Sequence, residues 1–314
     1  MPASASEPRE VYTLADLRNW PTATAHARPP LRLAVFGDPV AHSASPPMHN
    51  AALAALGLDL RYTRLHIRPA ELPEALQLVA RQGFVGVNLT IPHKEAAVGC
   101  VDAVDELAAR LGVINTVRVE PDGTLRGFNT DGPGFARAMQ VDWGIELARQ
   151  RVLLLGAGGG AGRALAVQCA LANCLRLVLV NRTAEKAHAL AGALRAEYGV
   201  DSTAAFWEDS ALADALAGCD LVVNTSSLGL RPGDHSPLRA ELIPTHARIF
   251  DTVYLASGAP TPLETAAHTA GVPCLGGRSL LLHQGALSFA HWFGCLPPLD
   301  AMRDALAAPS SPAC

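Results

Sequence analysis

Short apolar runs alternate with longer helical patterns along the chain from Leu31 onward. In the first part of the chain this alternation predicts strands at 32–36, 60–66 and 84–88 and helices at 46–57 and 70–82. Strands separated by helices pair in parallel, with the helices as crossovers. A polar turn at 121–123 then joins 113–120 to 124–127 as a hairpin. The first sheet is therefore expected to be mixed but mainly parallel.

A second series of apolar runs begins at Arg151 and predicts another sheet. Runs without polar positions are typical of strands that are covered on both faces. These predicted strands lie at 152–155, 176–180, 220–224, 248–253 and 272–275. The predicted fold class is therefore α/β with two domains, an N-terminal mixed, mainly parallel sheet and a Rossmann-type domain, separated by a cleft.

The length of 314 residues also favours two domains, because single cores stop growing near roughly 250–300 residues. We expect the first domain at 31–130, rejoined by C-terminal helices at 277–314, and the second at 131–276. The helical stretch at 279–293 can close either domain. Residues 1–30, rich in Pro, Ala, Ser and Thr, are interpreted as a partly ordered extension with one short helix at 14–20.

Composition and charge exclude several classes of protein. Hydrophobic residues make up 49% of the chain and charged residues 17%, which is typical of a globular protein. The net charge of −4, without blocks of like charge, argues against nucleic-acid partners and anionic membranes. The seven cysteines are scattered without CxxC spacing or a metal-ligand cluster, so we expect reduced thiols, no bound metal and a cytoplasmic location. The sequence shows neither a targeting segment nor a membrane-spanning run.

A glycine-rich turn follows the predicted strand at 152–155 and opens an apolar helix at 161–172. Glycines in this context let the backbone approach a pyrophosphate, and the helix N-terminus offers N–H groups and a positive dipole end. The residues of this candidate dinucleotide site are Gly156, Ala157, Gly158, Gly159 and Gly160. The alternative is a turn whose glycines serve only close packing of helix and strand.

The next predicted strand ends in Asn181, Arg182 and Thr183. An NAD enzyme usually has an acid there to hold the ribose 2′-hydroxyl, and this chain has none. Arg182 and, one helical turn later, Lys186 instead favour the 2′-phosphate of NADP. Thr183 is also suited to cap the following helix, a role that is compatible with phosphate binding.

Polar side chains follow several predicted strands of the first domain. Ser43 and Ser45 lie after the first strand, where they could also be simple helix caps. Later strand ends and loops carry Asn88, Thr90, Lys94, Asn115 and Asp131. Hydroxyls, amides, one amine and one carboxylate at the edge of an open parallel sheet suit a small polyhydroxylated acid.

In this order, these segments resemble the shikimate/quinate dehydrogenase family from about Leu31 through Leu296. The resemblance implies NADPH-dependent, reversible reduction of 3-dehydroshikimate to shikimate, a step of chorismate and aromatic amino-acid biosynthesis. It implies that Lys94 and Asp131 are catalytic and that the substrate contacts Ser43, Ser45, Asn88, Thr90, Asn115, Tyr254 and Gln284. It adds Thr225, Ser226, Val253 and Gly277 to the cofactor site. Thr252, Ser279 and Leu280 depart from the family pattern, at positions expected on the cofactor side.

Lys94 suits a ketone reduction because hydride delivery leaves negative charge on the oxygen, which a cation or proton donor stabilises. An ionised Asp131 would hold the ammonium in place and oppose its proton loss, so orientation and charge stabilisation are expected to dominate. Of the 25 basic residues only Lys94 and Lys186 are lysines, and arginine cannot give up its proton, so Lys94 is interpreted as a required amine rather than a chance survival.

Other interpretations remain open at this point. His93 is expected to pack rather than to act in catalysis, and His42 and His49 are expected to be structural. A quinate/shikimate dehydrogenase that prefers NAD and a non-catalytic ligand sensor of the same fold are the alternative functions. The partner is expected to be a small-molecule substrate, and a monomer and a homodimer both fit the sequence.

Overall fold

The computed structural model describes residues 10–308 of the chain. These residues divide into two compact units, one formed by 10–130 with 285–308 and the other by 131–284. The first nine residues of the predicted extension and residues 309–314 of the predicted C-terminal segment lie outside the described residues.

The first unit is built on a seven-stranded sheet. Its elements, apart from short 3-10 turns at Pro69–Glu71 and Ala96–Cys100, are β1 (Val11–Thr13), α1 (Leu14–Arg18), α2 (Trp20–Ala23), β2 (Leu31–Gly37), α3 (Ser45–Ala55), β3 (Arg61–His66), α4 (Leu72–Arg81), β4 (Gly86–Leu89), β5 (Ala103–Val104), α5 (Glu106–Leu111), β6 (Thr116–Val119) and β7 (Leu125–Phe128). The strand order is β1-β3-β2-β4-β6-β7-β5. β6 pairs antiparallel with both β4 and β7, and the other pairs are parallel, so the predicted mixed sheet and its hairpin are confirmed.

The second unit contains a six-stranded sheet in which every pair is parallel. Its elements, apart from 3-10 turns at Leu147–Arg149 and Ala240–Leu242, are α6 (Asp131–Trp143), β8 (Arg151–Leu155), α7 (Gly160–Leu171), β9 (Arg176–Val180), α8 (Ala184–Tyr198), β10 (Ser202–Ala205), α9 (Asp209–Leu216), β11 (Leu221–Asn224), β12 (Arg248–Asp251), α10 (Pro262–Thr269) and β13 (Cys274–Leu275). The order β10-β9-β8-β11-β12-β13 reverses direction between β8 and β11, which is the switch point of a Rossmann fold. The predicted α/β fold class is confirmed.

Two further helices complete the described chain, α11 (Gly277–Phe293) and α12 (Leu299–Ala307). Residues 277–284 of α11 belong to the second unit and residues 285–293 to the first. α12 packs against α3 within the first unit. Among residues 10–308, no helix combines the length and the apolar character that a membrane span requires.

The segment 10–30 is an integral part of the first unit, which differs from the predicted partly ordered extension. β1 adds a parallel strand to the edge of the sheet beside β3. Trp20 is fully buried, its ring centroid lies 5.1 Å from those of Tyr12 and Phe84, and its Nε1 donates to the carbonyl of Leu31. The predicted helix at 14–20 is split in two, because Asn19 separates α1 from α2. A few large side chains therefore anchor a segment whose composition is otherwise typical of a loop.

Candidate active site

The carboxyl ends of β2 and β4 meet at one edge of the first sheet, because the two strands are parallel neighbours. Thr90 follows β4 directly, and its N–H donates to the carbonyl of Phe36 on β2. A Cβ at Gly37 would lie 2.6 Å from Cγ2 of Thr90, so only glycine allows this approach. The loops that carry the predicted substrate residues therefore start from adjoining strand ends.

Ser43 and Ser45 lie at the N-terminus of α3, and Ser45 is buried as its first residue. The Ser43 hydroxyl donates to Oγ of Ser45 at 3.2 Å. Nε and Nη2 of Arg64 donate to the carbonyl of Ser43 at 3.0 and 2.7 Å. Oγ of Ser43 also accepts from the backbone N–H of Ser45 at 3.3 Å, so the Ser43 side chain bonds to the first residue of α3. Arg64, on β3, was not a predicted site residue, and it fixes the backbone of this loop through a pairing that no local sequence pattern indicates.

Five neutral side chains form a buried hydrogen-bond network in the first unit, which we call the neutral network: Asn88, Asn115, Thr116, Thr130 and Ser288. Oδ1 of Asn115 accepts from the backbone N–H of Thr130 at 2.8 Å and from the Thr116 hydroxyl at 3.1 Å. Oγ of Ser288 lies 2.7 Å from that of Thr116 and 3.2 Å from that of Thr130. The network ties the ends of β4, β6 and β7 to the second half of α11.

The Asn88 side chain bonds to other residues of the protein through both its oxygen and its nitrogen. Its Oδ1 accepts from the Tyr62 hydroxyl at 2.8 Å. Its Nδ2 lies 3.0 Å from Oγ of Ser288 and 3.1 Å from Oγ1 of Thr116. These contacts tie Asn88 to other residues of the first unit, and its direct contact with the substrate stays a prediction.

Lys94 lies in the loop after β4, is partly buried, and its carbonyl accepts from the N–H of Ile114. The neighbouring His93 is buried, and its Nε2 donates to the carbonyl of Ile67 at 2.7 Å. Burial lowers the pKa of His93, with the Ile67 contact opposing the shift. The imidazole is thus a neutral anchor for the Lys94 loop. His49 is buried on α3 and stacks on Tyr62 at 4.5 Å, and His42 is exposed.

In the second unit, the glycine-rich turn joins β8 to α7, at the switch point of the sheet. Gly156 has a φ of 85°, and a Cβ there would lie 2.5 Å from the backbone nitrogen of Ser226. A Cβ at Gly158 would lie 2.8 Å from Nδ2 of Asn181. Gly159, the N-cap of α7, is more open, since its Cβ would meet only a carbonyl at 4.0 Å. The turn is tight against protein on one side and open beside the helix N-terminus, which fits a bound pyrophosphate.

Arg182, Thr183 and Lys186 are exposed at the end of β9 and the start of α8. Thr183 occupies the N-cap position of α8, but its side chain makes no capping hydrogen bond. The Asn181 side chain instead links this corner to the glycine turn, because its Oδ1 accepts from the N–H of Gly158 at 3.2 Å. Two cations and an uncommitted hydroxyl therefore lie next to the open turn, an arrangement that fits the 2′-phosphate of NADP.

The other predicted cofactor residues follow β11 and β12. Both the N–H and the hydroxyl of Thr225 donate to the carbonyl of Leu155, at 2.7 and 2.8 Å. Val253 is buried, and its carbonyl accepts from the N–H of Gly277. Tyr254, which follows, is partly buried. The second sheet thus brings the cofactor residues predicted after β8, β11 and β12 to its carboxyl edge.

Asp131 is buried as the first residue of α6, and Gln284 lies on α11 with its Nε2 donating to the carbonyl of Leu281. A Cβ at Gly134 would lie 2.7 Å from the backbone of Gln284, so α6 and this part of α11 are in close contact. Asp131 and Lys94 belong to different units. The structure accordingly describes the surroundings of each residue separately, and their joint role stays a prediction.

Ser279, which departs from the family pattern, makes a contact on α6 rather than towards the glycine turn. Its hydroxyl donates to Oδ2 of Asp142 at 2.6 Å. Nε2 of the buried His283 lies 3.2 Å from the same oxygen. The serine therefore adds a hydrogen bond between α11 and α6. Within residues 10–308 there is no group of three or more His, Cys, Asp or Glu side chains that could hold a metal ion.

Residues 35–117 match the family model of the shikimate dehydrogenase substrate-binding domain, and residues 277–307 match that of the shikimate 5′-dehydrogenase C-terminal domain. The chain is 41% identical to the shikimate dehydrogenase (NADP(+)) of Moorella thermoacetica, in a match that covers 88% of this chain and 94% of the relative. The chain belongs to the shikimate dehydrogenase family. The predicted resemblance is thereby confirmed.

Solved structures of shikimate dehydrogenases and related enzymes have the same fold. The shikimate 5-dehydrogenase of Thermus thermophilus, in complex with NADP(H) and shikimate, matches with a TM-score of 0.75 and 41% identity, over 88% of this chain and 98% of that chain. Quinate dehydrogenase from Corynebacterium glutamicum, in complex with NAD, matches with a TM-score of 0.78 and 28% identity, over the same two shares. Membership of the shikimate dehydrogenase family therefore leaves substrate and cofactor preference to be argued from this chain's own residues.

Proposed function

We propose that this protein is an NADP-dependent shikimate dehydrogenase that reduces the ketone of 3-dehydroshikimate to the hydroxyl of shikimate, reversibly. The observation that carries the proposal is the pair of strand-end sites. One holds Ser43, Thr90 and Lys94, and the other holds the open glycine turn with its two neighbouring cations. The 41% identity to a shikimate dehydrogenase (NADP(+)) supports the same assignment.

Each polar group of the first unit has a part in this reaction. The hydroxyls of Ser43 and Ser45 bind the substrate carboxylate, and Arg64 keeps their loop in place. Thr90 and Asn115 bind ring hydroxyls, and the family resemblance assigns Tyr254 and Gln284 to substrate binding as well. Asn88, whose amide is engaged inside the protein, positions these groups. Such a set recognises a small hydroxylated acid because each buried donor or acceptor needs a matching partner on the ligand.

Bound NADPH supplies the hydride for the carbonyl carbon. Lys94 stabilises the negative charge that develops on the carbonyl oxygen, and a proton delivered from its Nζ completes the hydroxyl. Asp131 orients the ammonium group and keeps it charged before the reaction. One hydride and one proton together convert the ketone to the alcohol, so the reaction is balanced.

The cofactor preference rests on the corner after β9. Arg182 and Lys186 bind the 2′-phosphate, and Gly156, Ala157, Gly158, Gly159 and Gly160 admit the pyrophosphate. No acidic side chain occupies 181–183 to hold a ribose 2′-hydroxyl, so NAD binds less well. The test is to assay shikimate and quinate, each with NADP and with NAD. We expect higher kcat/KM with NADP, whereas an NAD-preferring quinate/shikimate dehydrogenase would show higher kcat/KM with NAD.

The decisive test is the turnover of Lys94→Ala with shikimate and NADP, followed by absorbance. We expect kcat to fall by at least about 10²-fold, as for a positioned acid/base group, with little change in cofactor affinity. Lys94→Arg should also be slow, because it keeps the charge but cannot release a proton. Asp131→Asn should impair kcat in the same way.

Lys186→Ala provides a contrast at the other lysine of the chain. It should raise the KM for NADPH while kcat at saturating cofactor is retained. Wild-type turnover by Lys94→Ala would contradict the catalytic assignment. A wild-type protein that binds shikimate but does not turn it over would instead be a ligand sensor.

We further propose that the enzyme acts in the cytoplasm on freely diffusing small molecules. Burial raises the pKa of the Cys174 and Cys219 thiols to about 11, so both stay protonated and unreactive at neutral pH. Among the described residues all six cysteines are free, which suits a reducing compartment. A monomer and a homodimer both remain compatible with the sequence.

A further inference from the structure

Asp251 is a fully buried carboxylate that has no part in the reaction described above. It ends β12, and its exposed fraction is 0%. Its Oδ1 accepts from Nδ2 of Asn224 at 2.9 Å and from the N–H of Val253 at 3.0 Å. Its Oδ2 accepts from the Thr261 hydroxyl at 2.6 Å. All three donors are neutral, so the carboxylate is hydrogen-bonded but has no cation to offset its charge.

The surroundings of Asp251 are unfavourable to a negative charge. Burial raises the pKa of Asp251 to about 6, and the nearby Glu264 acts in the same direction against the three hydrogen bonds. Glu264 itself accepts from the N–H of Thr261 in the capping box of α10. Burial raises the pKa of the nearby Cys274 to about 12, and the negative charges of Glu264 and Asp251 contribute to this shift. A carboxylate buried among such groups costs stability, which calls for a reason for its presence.

One chain of hydrogen bonds from Asp251 runs through Asn224 to Ser226, beside the glycine turn. Asn224, held by Asp251, accepts on its Oδ1 from the N–H of Ser226 at 3.0 Å and from the Ser226 hydroxyl at 2.7 Å. The backbone of Ser226 occupies the space that a Cβ on Gly156 would need. The position of Ser226 against the turn therefore depends on the Asn224 side chain and, through it, on Asp251.

A second chain of hydrogen bonds from Asp251 runs through Val253 to the start of α11. Asp251 fixes the N–H of Val253, and the carbonyl of Val253 accepts from the N–H of Gly277 at 3.1 Å. A Cβ on Gly277 would lie 2.4 Å from the carbonyl oxygen of Thr252, so the two segments touch. Ser226, Val253 and Gly277 are three of the cofactor residues predicted from the sequence. One carboxylate thus connects all of them.

We propose that Asp251 is a positioning residue that holds the loops after β11 and β12 in the geometry required by the nicotinamide half of the cofactor. The inference rests on the proposed function, because it takes these loops as the nicotinamide side of an NADP site. We call Asp251, Asn224, Ser226, Val253 and Thr261 the Asp251 network. A carboxylate is needed because it accepts all three hydrogen bonds at once. An asparagine would turn an N–H group towards one of the donors.

The test compares two ligands on Asp251→Asn. NADPH spans the whole site, whereas adenosine 2′-phosphate carries only the adenosine half with its 2′-phosphate and has no phosphate for the glycine turn. We expect the dissociation constant for NADPH to rise about tenfold, the effect of one hydrogen bond to a charged group, with a lower kcat. The dissociation constant for adenosine 2′-phosphate should stay within about twofold of the wild-type value, which a general loss of structure would not allow.

Asp220→Asn is the matched control. Asp220 immediately precedes β11, at the opposite end of that strand from Asn224, and binds Arg151 through both oxygens. This variant should bind both ligands as the wild type does. Equal NADPH affinity in Asp251→Asn and wild type, or an equal loss of both ligands, would overturn the proposal.

A second pair of variants applies if Asp251→Asn does not fold. Thr261→Val removes the hydrogen bond to Oδ2, and Thr261→Ser keeps it. Loss of NADPH affinity in the valine variant alone supports the role of Asp251, and equal affinities in the two variants contradict it. Since ligand binding is measured directly, a wild-type protein that binds NADPH but does not oxidise shikimate when NADP is supplied would refute the proposed function, while the positioning role is still tested.

Discussion

The two sheets of the protein each hold their functional loops with a buried polar network, but the two networks are built from different chemistry. The neutral network of the first unit consists of amides and hydroxyls, each able to donate and to accept. The Asp251 network of the second unit has a carboxylate at its centre and only neutral donors around it. The hydrogen bonds of the neutral network do not depend on pH, because none of its members titrates. Those of the Asp251 network change with the ionisation of Asp251.

The difference follows from what each network joins. Side-chain amides and hydroxyls suffice in the first unit, because most members bond to one another and only a few backbone groups are involved. At Asp251, a backbone N–H, an amide and a hydroxyl all need an acceptor at one point, and only a carboxylate offers enough lone pairs. Hydrogen bonds to a charged acceptor are also stronger, which compensates in part for burying the charge.

The largest effect on stability is expected from Asn115→Ala, which removes the central member of the neutral network. The change leaves the Thr130 N–H and nearby hydroxyls without their acceptor, so we expect a loss of about 3 kcal/mol in the free energy of unfolding. Urea denaturation measures this loss. A loss below about 1 kcal/mol would show that the network can rearrange and is less constrained than its contacts indicate.

The next largest effect is a difference between the two networks in how the free energy of unfolding depends on pH. The pKa of Asp251 is raised to about 6 from an ordinary value of 3.8, so between these values the folded protein keeps a proton that the unfolded chain releases. The contribution of Asp251 to stability is therefore greatest below pH 4 and falls as pH rises towards 6. From pH 4.5 to 7, the unfolding free energy of the wild type should drop by about 2 kcal/mol relative to Asp251→Asn.

Asn115→Ala is the control for this pH experiment, since no member of the neutral network titrates. Its difference from the wild type should be the same at pH 4.5 and pH 7 when both are measured by urea denaturation. Glu264 and Cys274, which face Asp251, are present in all the variants. A pH-independent difference for Asp251→Asn would mean that the carboxyl group is not protonated in this range.

The smallest effect compares one serine from each network. Ser288→Ala should reduce the unfolding free energy by about 1 kcal/mol, the usual value of a lost internal hydrogen bond, and leave NADPH binding unchanged. Ser226→Ala should be similarly destabilising but should also weaken NADPH binding. Urea denaturation and fluorescence titration measure the two quantities. Equal NADPH affinity in both variants would remove the functional distinction between the networks.

Much of the fold could be predicted because the buried strands have continuous apolar runs. Residues 152–155 and 176–180 form β8 and β9, as expected for strands covered on both faces. β10 was not predicted, since Ser-Thr-Ala-Ala at the sheet edge carries little hydrophobic signal. The segment 10–30 was misjudged because a few residues such as Trp20 determine its burial, and their partners lie elsewhere in the sequence.

Candidate site residues could be predicted where a suitable residue type lies at a strand end, as at Thr90, Lys94 and the glycine turn. The contacts that hold these residues in place could not be predicted from the sequence. Ser288 reaches Thr116 across 172 positions of the chain, and Arg64 bonds to the carbonyl of a serine 21 positions before it. Asp251 was not among the predicted site residues. Its burial and its bond to Thr261 depend on how β12 and α10 pack, which no local pattern encodes.

The short strand β1 also has a consequence for solubility. β3 carries Arg64, and without β1 the backbone groups along one side of β3 would be open to pairing with a strand of another molecule. With β1 in place, β1 itself forms the edge of the sheet. It is only three residues long, so this edge offers few backbone groups for such pairing. A shortened chain beginning at Leu31 would keep every predicted site residue yet expose an aggregation-prone edge. Purification tags are therefore better joined ahead of an intact 10–30 segment than substituted for it.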